Sequence, residues 1–328
     1  MDKITNIKTN LITGFLGSGK TSAVLHLMSQ KPKGEIWAVL VNEFGSIGID
    51  GAIYKAKGIE VKEIPGGCMC CAAGVPMRVA INNLIKEVRP QRLLIEASGL
   101  GHPKRVLDTL RSEHFKEALT LQASICLIDP RNLLDARYTT HEIFIDQIAV
   151  ADILVANKVD QCDADTLKNF DQYAAKLNPK KAHLIKTSFG EIDAQVLNTQ
   201  LDSERKAQNP DLHSAPPKIL SISTSESSLQ KPKDGYNTAS VTLNKDLIFN
   251  SKKLSKLFTS LEAERIKAVM HTDKGWMIFN IHRNNTQIIA TDSANESRIE
   301  IISAQTKQAV DPIKIKELVM NCITDKNS

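Results

Sequence analysis

The chain has 328 residues, of which 42% are hydrophobic and 24% charged, so it is long enough for about two globular domains. A net charge of +5, with no stretch that interleaves dense basic and aromatic residues, argues against a nucleic-acid-binding protein. Because it contains no apolar run of about 18 residues and begins without the apolar core of a signal peptide, we expect a cytoplasmic protein without a membrane span.

The first motif lies near the amino terminus, where residues 14–21 read Gly-Phe-Leu-Gly-Ser-Gly-Lys-Thr. This matches GxxxxGK[ST], and a predicted strand at 8–13 and a helix from residue 21 flank it as a phosphate-binding loop requires. Lys20 is expected to reach the outer phosphates as a catalytic residue, and Thr21 to hold Mg²⁺. The candidate phosphate-binding residues are Gly14, Gly17, Ser18, Gly19, Lys20, Thr21 and Ser22.

Two further segments follow predicted buried strands and carry an acid. The apolar run 35–41 leads into Asn-Glu-Phe-Gly, where Glu43 is a candidate ligand for Mg²⁺ or a second metal, or else a solvated loop acid. Strand 92–96 ends at Glu96, followed by Ala-Ser-Gly. We expect Glu96 to be a catalytic residue that holds the Mg²⁺ shell, often through water, and the Gly99 N–H to donate to the γ-phosphate.

A fourth motif, Asn157-Lys158-Val159-Asp160, follows the predicted strand 153–156. The Asp160 carboxylate can accept hydrogen bonds from the ring N–H and the exocyclic amine of guanine, whereas adenine offers an acceptor at the first position. Asn157 and Lys158 are expected to brace the loop and cover the base. Residues 187–190 follow a further short strand at 182–186 and can close over the base.

The order of elements predicts an α/β fold with a mostly parallel central sheet flanked by helices, in the manner of P-loop NTPases. We assign residues 1–200 to this domain. Residues 201–238, rich in Ser, Pro, Lys, Asn and Gln, are predicted to be a linker or mobile loop. Residues 239–328 alternate short strands with two amphipathic helices, at 251–261 and 313–322, and are assigned to a smaller carboxy-terminal α+β domain.

The chain also contains a compact cysteine cluster, Cys68-Met69-Cys70-Cys71. Three soft thiolates within four residues can converge on one ion, and Zn²⁺ favours sulfur-rich tetrahedral sites. With three local thiolates, the fourth position is left to water, a carboxylate such as Glu43, or a partner's group. Such an open site suits a metal that is transferred, the alternatives being a permanent structural zinc or free thiols. Co²⁺ and Ni²⁺ stay open as alternative ions.

Taken in this order, the motifs resemble those of the CobW-like metallochaperone GTPases, a family related to the nickel-insertion GTPases. The second domain resembles that family through Arg265-Ile266-Lys267 and Glu296-Ser297-Arg298, although Ala268 stands where the family usually has glycine. The histidine-rich stretch that many members carry between the domains is absent, which leaves the cysteine cluster as the main metal site.

The resemblance implies a GTPase that uses GTP and Mg²⁺, binds Zn²⁺ and delivers it to a client metalloprotein, with a homodimer as a further option. Leu100 follows the Glu96–Gly99 segment where Ras-like proteins have a water-orienting glutamine, so we expect slow intrinsic hydrolysis. The alternative is a nucleotide- and metal-responsive regulatory protein in which hydrolysis is incidental.

Overall fold

The computed structural model describes residues 4–41, 54, 59–63, 75–209, 227–233, 236–282, 285–290, 296–304 and 311–324. These residues form two compact units. The first contains residues 4–41, 59–63 and 75–209, and the second contains Tyr54 and the described residues from 227 onward.

The first unit is built on an eight-stranded parallel sheet in the order β3-β2-β4-β1-β6-β7-β8, with β5 paired to β1 beside this path. The central strands are buried along their whole length and consist mostly of apolar residues, as expected for a sheet covered on both faces. The strands are β1 (Ile7–Gly14), β2 (Trp37–Val41), β3 (Val61–Glu63), β4 (Arg92–Glu96), β5 (Leu119–Leu121), β6 (Ile125–Ile128), β7 (Ile153–Ala156) and β8 (His183–Lys186).

Helices connect these strands and bury their apolar sides on the sheet; Met77, Ile81 and Leu84, for example, belong to the same core as residues of β2 and β4. The helices are α1 (Lys20–Ser29), α2 (Val75–Val88), α3 (Pro103–Leu110), α4 (Ala136–Thr139), α5 (Glu142–Val150) and α6 (Ala164–Ala175). Short 3₁₀ helices cover Pro130–Leu134, Val159–Gln161 and Ala194–Asn198. This alternation of strand and helix confirms the predicted fold class.

The second unit is an antiparallel sheet in the order β13-β12-β11-β14-β10-β9. Phe258 of one helix and Phe279 of a strand meet edge to face in its core. Its elements are β9 (Ser227–Lys233), β10 (Tyr236–Leu243), α7 (Ser251–Ser260), β11 (Arg265–Thr272), β12 (Gly275–His282), β13 (Asn285–Ala290), β14 (Ser297–Ala304) and α8 (Pro312–Met320).

Parts of the predicted linker 201–238 are folded in the structure. Arg205 is buried and donates to Asp152, and the Gln208 amide donates to Asp146, so residues 201–209 are held on the first unit. At the other end, residues 227–233 form β9 and pair with β10. Polar composition gave no sign of these bonds, since they use buried acids that lie far away in the chain. Residues 210–226 lie outside the described part, so the domain boundaries stay a prediction.

Among the described residues, the structure contains no helix with both the length and the apolar character needed to cross a bilayer.

Candidate nucleotide-binding site

The loop between β1 and α1 has the backbone geometry that only glycine adopts without strain. Gly14, Gly17 and Gly19 have φ angles of 144°, 70° and 94°. A Cβ on Gly14 would lie 2.3 Å from the carbonyl oxygen of Leu127, and one on Gly19 would lie 2.2 Å from Nδ2 of Asn157. All three glycines are therefore required by dihedral angle, and Gly14 and Gly19 also by the close approach of Leu127 and Asn157.

The variable positions of the loop anchor it to the rest of the unit. Phe15 is buried, and its ring lies edge-on to His141 and Tyr138 at centroid distances of 4.9 and 5.4 Å. Leu16 lies against Gly99, where a Cβ would come within 2.9 Å of the Leu16 amide nitrogen. The loop is thus fixed by packing on one side and by the Gly99 segment on the other.

Lys20 is the first residue of α1 and is almost completely buried. Its ammonium group donates to the carbonyl oxygens of Gly14 at 2.8 Å and Phe15 at 3.2 Å, so it lies across the loop. The Ser18 hydroxyl is also buried and has no hydrogen-bond partner among the described residues. A cationic group and an unsatisfied hydroxyl beside a glycine cradle fit a phosphate ligand.

Thr21 and Glu96 come together from different elements. The Thr21 hydroxyl donates to Glu96 Oε1 at 3.0 Å, and Glu96 is buried at the end of β4. Hydroxyl and carboxylate oxygens are the ligands that Mg²⁺ prefers. The donor set therefore fits a magnesium ion beside the outer phosphates of a bound nucleotide.

Asn157 connects three parts of the candidate site. Its Nδ2 donates to the Ser18 carbonyl oxygen at 2.9 Å, and its Oδ1 accepts from the Gly190 amide at 3.0 Å. Gly190 in turn lies against the start of α1, because a Cβ there would come within 2.5 Å of the Ala23 amide nitrogen. The phosphate loop, the fourth motif and the loop 187–190 are thus joined through one buried side chain.

The residues expected to contact the base lie at the exposed end of this arrangement. Asp160 is exposed, and its backbone amide donates to the Ser188 hydroxyl at 3.2 Å. Lys158 and Phe189 have positive φ angles of 63° and 57°, and the Phe189 side chain is 70% exposed. This leaves a carboxylate, an ammonium group and an aromatic ring at one end of the site.

Asp129, directly after β6, forms an ion pair with Lys158. Its carboxylate lies 3.5 Å from the Lys158 ammonium group and accepts two hydrogen bonds from the Arg131 side chain, at 2.9 and 2.6 Å. Burial favours the neutral form of Asp129, but the hydrogen bonds from Arg131 and the charges of Lys158 and Arg131 outweigh burial, so its pKa lies below the usual range. The charged carboxylate therefore orients Lys158.

Comparison with known proteins identifies the family. Residues 8–185 match the sequence model described as "CobW/HypB/UreG, nucleotide-binding domain". The chain is 37% identical over 306 residues to the zinc chaperone YeiR of Escherichia coli (strain K12), covering 90% of this chain and 93% of YeiR. The chain belongs to the CobW/HypB/UreG family.

Other similarities are more distant. The chain is 31% identical over 228 residues to the zinc chaperone CobW of Pseudomonas aeruginosa, which covers 60% of each chain. The crystal structure of Zn(II)-bound YjiA GTPase from Escherichia coli aligns with 98% of this chain and 99% of its own, at 17% identity and a TM-score of 0.44.

The candidate metal ligands Cys68, Cys70, Cys71 and Glu43 lie outside the described residues. Within the described part of the chain, no group of three or more His, Cys, Asp or Glu side chains is arranged to hold a metal ion. Metal binding by Cys68, Cys70 and Cys71 therefore stays a prediction from the sequence.

Sequence reasoning missed Gln147 and did not recognise Asp129 as part of the site. Gln147 is fully buried on α5 and donates to the carbonyl oxygens of Gly99 at 3.2 Å and Gly101 at 3.3 Å, so it positions the segment after Glu96. The available signal was a polar residue in a helix that is otherwise mostly apolar. Asp129 carried the same kind of signal, an acid at the end of a buried strand.

Proposed function

We propose that this protein is a GTP-dependent zinc chaperone. It binds GTP with Mg²⁺ at the loop 14–21, reads the base with Asp160, and carries Zn²⁺ on the cysteine cluster to a client metalloprotein. The observation that supports this most strongly is the Asn157 contact network, because it brings separated motifs together at one edge of the sheet. The similarity to the zinc chaperone YeiR supports Zn²⁺ as the metal that is carried.

In this proposal the residues of the site divide the work of nucleotide binding. Loop amides and the Lys20 ammonium group hold the phosphates, and Lys20 exchanges its bonds to the carbonyls of Gly14 and Phe15 for stronger charge-assisted bonds. Asp160 accepts from the ring N–H and amine of guanine. Lys158, held by Asp129, covers one face of the base.

Hydrolysis depends on the same edge of the sheet. Thr21 and Glu96 would hold Mg²⁺, which supplies charge stabilisation to the outer phosphates when bound. Leu100 is 3% exposed, so it offers neither a polar group nor an accessible side chain to orient water. We therefore propose slow turnover by the isolated protein, accelerated when metal, client or a second copy is bound.

The strand register supports coupling between nucleotide and metal. Glu63 of β3 pairs with Val41 of β2, and Val41 pairs with Glu96 of β4, which pairs with Ile12 of β1. These residues form one row across the parallel sheet. The chain leaves β3 at Glu63 only five residues before Cys68. The last described residue before the cysteine cluster therefore lies in the same row of the sheet as Glu96, and we infer that a change at Glu96 reaches the cysteines along the chain that follows Glu63.

The decisive experiment measures Zn²⁺ affinity and GTP affinity on the same full-length protein. Zn²⁺ is titrated against a chromophoric chelator in the presence of GDP or a non-hydrolysable GTP analogue, and nucleotides compete with a fluorescent GDP derivative. We expect GTP to displace the derivative far better than ATP, and the nucleotide state to change zinc affinity at least about fivefold, a typical coupling between sites.

Cysteine variants show which thiols bind the zinc. Cys70→Ala is expected to lose tight zinc binding and keep GTP binding, whereas Cys322→Ala, a buried thiol of the second unit, keeps both. Client-stimulated hydrolysis with transfer of the metal supports a chaperone. Zinc affinity that ignores the nucleotide, or zinc that remains bound through repeated turnover with clients, contradicts the proposal and favours a regulatory protein.

A further inference from the structure

A cavity lies at the amino ends of the strands of the parallel sheet, opposite the phosphate loop. Its volume is about 730 Å³, which falls within the range of small-molecule sites. It is bounded by the residues around the beginnings of β1, β2 and β4 and by the segment 193–198. All of these residues belong to the first unit. The nucleotide motifs do not use this cavity, since they follow the carboxyl ends of the same strands.

A buried arginine forms part of the cavity wall. Arg92 is 4% exposed, and its guanidinium lies over the Trp37 ring. Three of its five N–H groups donate to neutral oxygens, two on side-chain amides of Asn10 and Asn198 and one on the Leu197 carbonyl. Its Nε–H has no acceptor among the described residues. The hydrogen bonds thus fix the guanidinium without neutralising it.

No carboxylate of the described residues forms an ion pair with Arg92. Glu35 accepts a hydrogen bond from the Trp37 indole and acts on Arg92 only through its charge. Burial of Arg92 disfavours its charged form and lowers its pKa, with Glu35 opposing. A buried cation paired only with neutral groups is costly, and an oxyanion is the ligand that removes this cost.

The charges around Arg92 also favour an anion. The exposed side chains of Lys8 and Arg89 line the cavity together with Arg92, against the two carboxylates of Glu35 and Asp193. Cations therefore outnumber acids, and Glu35 is already engaged with Trp37. An anionic ligand would meet positive groups both at the wall and at the mouth.

Two residues in the left-handed backbone conformation also line the cavity. Among the described residues, the non-glycine residues with positive φ are Asn6 (60°), Arg89 (49°), Lys158 (63°) and Phe189 (57°). The last two belong to the proposed base-binding loops, and the first two both line this cavity. Asparagine adopts this conformation readily, and Arg89 directly follows α2, where helices commonly end in it, so the two angles describe the shape of the cavity wall.

We propose that this cavity binds a small organic oxyanion, with a carboxylate or phosphate group facing Arg92 and an organic body filling the remaining space. An inorganic ion alone would leave most of the 730 Å³ unfilled. Trp37 and the exposed side-chain amide of Gln195 supply apolar and hydrogen-bonding contacts for the body. The site does not depend on GTP binding.

Tryptophan fluorescence can test this site directly, because the chain contains two tryptophans and Trp37 lines the cavity. In full-length Trp276→Phe protein, Trp37 becomes the sole tryptophan. Phenyl phosphate, benzoate, inorganic phosphate and benzyl alcohol are titrated at constant ionic strength with saturating Mg²⁺ and GDP, which occupy the phosphate loop. We expect a saturable change with phenyl phosphate or benzoate and none with benzyl alcohol; which of the two binds more tightly identifies the charged group.

Variants at the cavity mouth provide the control without disturbing buried Arg92. Lys8→Gln and Arg89→Gln are each expected to weaken binding about fivefold, as for loss of a partly exposed charged contact. Lys168→Gln, which removes an exposed lysine of α6 away from the cavity, should leave binding unchanged. Equal affinity in all three variants, no saturable response to either organic anion at saturating GDP, or a response seen only when GDP is left out would overturn the proposal.

Discussion

The contact between Gly19 and Asn157 allows a quantitative test of how the phosphate loop is held. Both atoms found within 4 Å of a Cβ built on Gly19 belong to Asn157 in the described part of the chain, and the nearer lies at 2.2 Å. Gly34 has a similar φ angle, 88° against 94°, but meets nothing within 4 Å. The stability lost in Gly34→Ala therefore comes from backbone strain alone, whereas the stability lost in Gly19→Ala comes from backbone strain and from the steric clash with Asn157.

The expected losses of stability follow from these contacts. Gly34→Ala should cost about 1–2 kcal/mol, the strain of a left-handed residue. Gly19→Ala should cost about 1–3 kcal/mol more because the new methyl group overpacks against Asn157. Asn157→Ala loses two buried hydrogen bonds, at about 1 kcal/mol each. In the double variant the collision is gone, so its loss should fall about 1–3 kcal/mol short of the sum.

Urea unfolding of the Trp276→Phe protein, followed through Trp37 in the first unit, measures all four free energies of unfolding. Binding of fluorescent GDP, measured in parallel, should fall in Gly19→Ala and recover in part when Asn157→Ala is added. Losses that add to within about 0.5 kcal/mol would refute the assigned contact. So would a Gly34→Ala protein as unstable as the Gly19→Ala protein.

Three further outcomes are expected. Asp160→Asn should weaken GTP binding about 100-fold relative to ATP, since about two charge-assisted hydrogen bonds to guanine are lost; nucleotide competition measures this. Cys70→Ala should abolish tight zinc binding in chelator competition and leave GTP binding nearly intact. Asp129→Asn should flatten the acid side of the stability profile: because the folded pKa of Asp129 is depressed, its charge contributes stability above its unfolded pKa of about 4, and that contribution disappears as pH falls through the folded pKa.

Each outcome has a matched comparison. Asp165→Asn removes an exposed acid of α6 and should leave nucleotide preference unchanged, so an equal effect of the two aspartate variants would contradict the role of Asp160. Cys322→Ala plays the same part for zinc. Urea midpoints between pH 3 and pH 7 test Asp129, and a parallel shift of the wild-type and Asp129→Asn curves, with no change of slope, would show that the ion pair with Arg131 contributes nothing.

Most of the fold was predictable because its strands are continuous apolar runs between glycine-rich or polar breaks. The bounds of β4 and β7 agree with the sequence prediction, since β7 is four apolar residues followed by Asn157, and β4 is three apolar residues between Arg92 and Glu96. Helices α3 and α6 were missed. Both are rich in charged residues on one side, and their apolar sides are short. The spacing of their apolar residues was therefore not enough to distinguish these helices from loops.

For the candidate site, the sequence predicted some of the residues but not the contacts that hold them. Its glycines and acids were visible because each occupies a fixed place in a short motif. The roles of Asn157 and Gln147 depend on partners far away in the sequence: Ser18 is 139 residues from Asn157, and Gly99 is 48 residues from Gln147. Spacing within one motif carries no information about such bonds, because they are created only when the sheet brings strand ends together.

These bonds also indicate where a nucleotide-dependent change can arise. Rearranging the Asn157 network would break buried hydrogen bonds, at about 1–3 kcal/mol for each group left unsatisfied. The bond from Thr21 to Glu96 is partly exposed, and an Mg²⁺ ion would compete for both of its oxygens. Glu96 lies in the same row of the sheet as Glu63, from which the chain leads to the cysteine cluster. If GTP and zinc are coupled as proposed, the least costly route therefore passes through Glu96, while the hydrogen bonds of Asn157 stay unchanged.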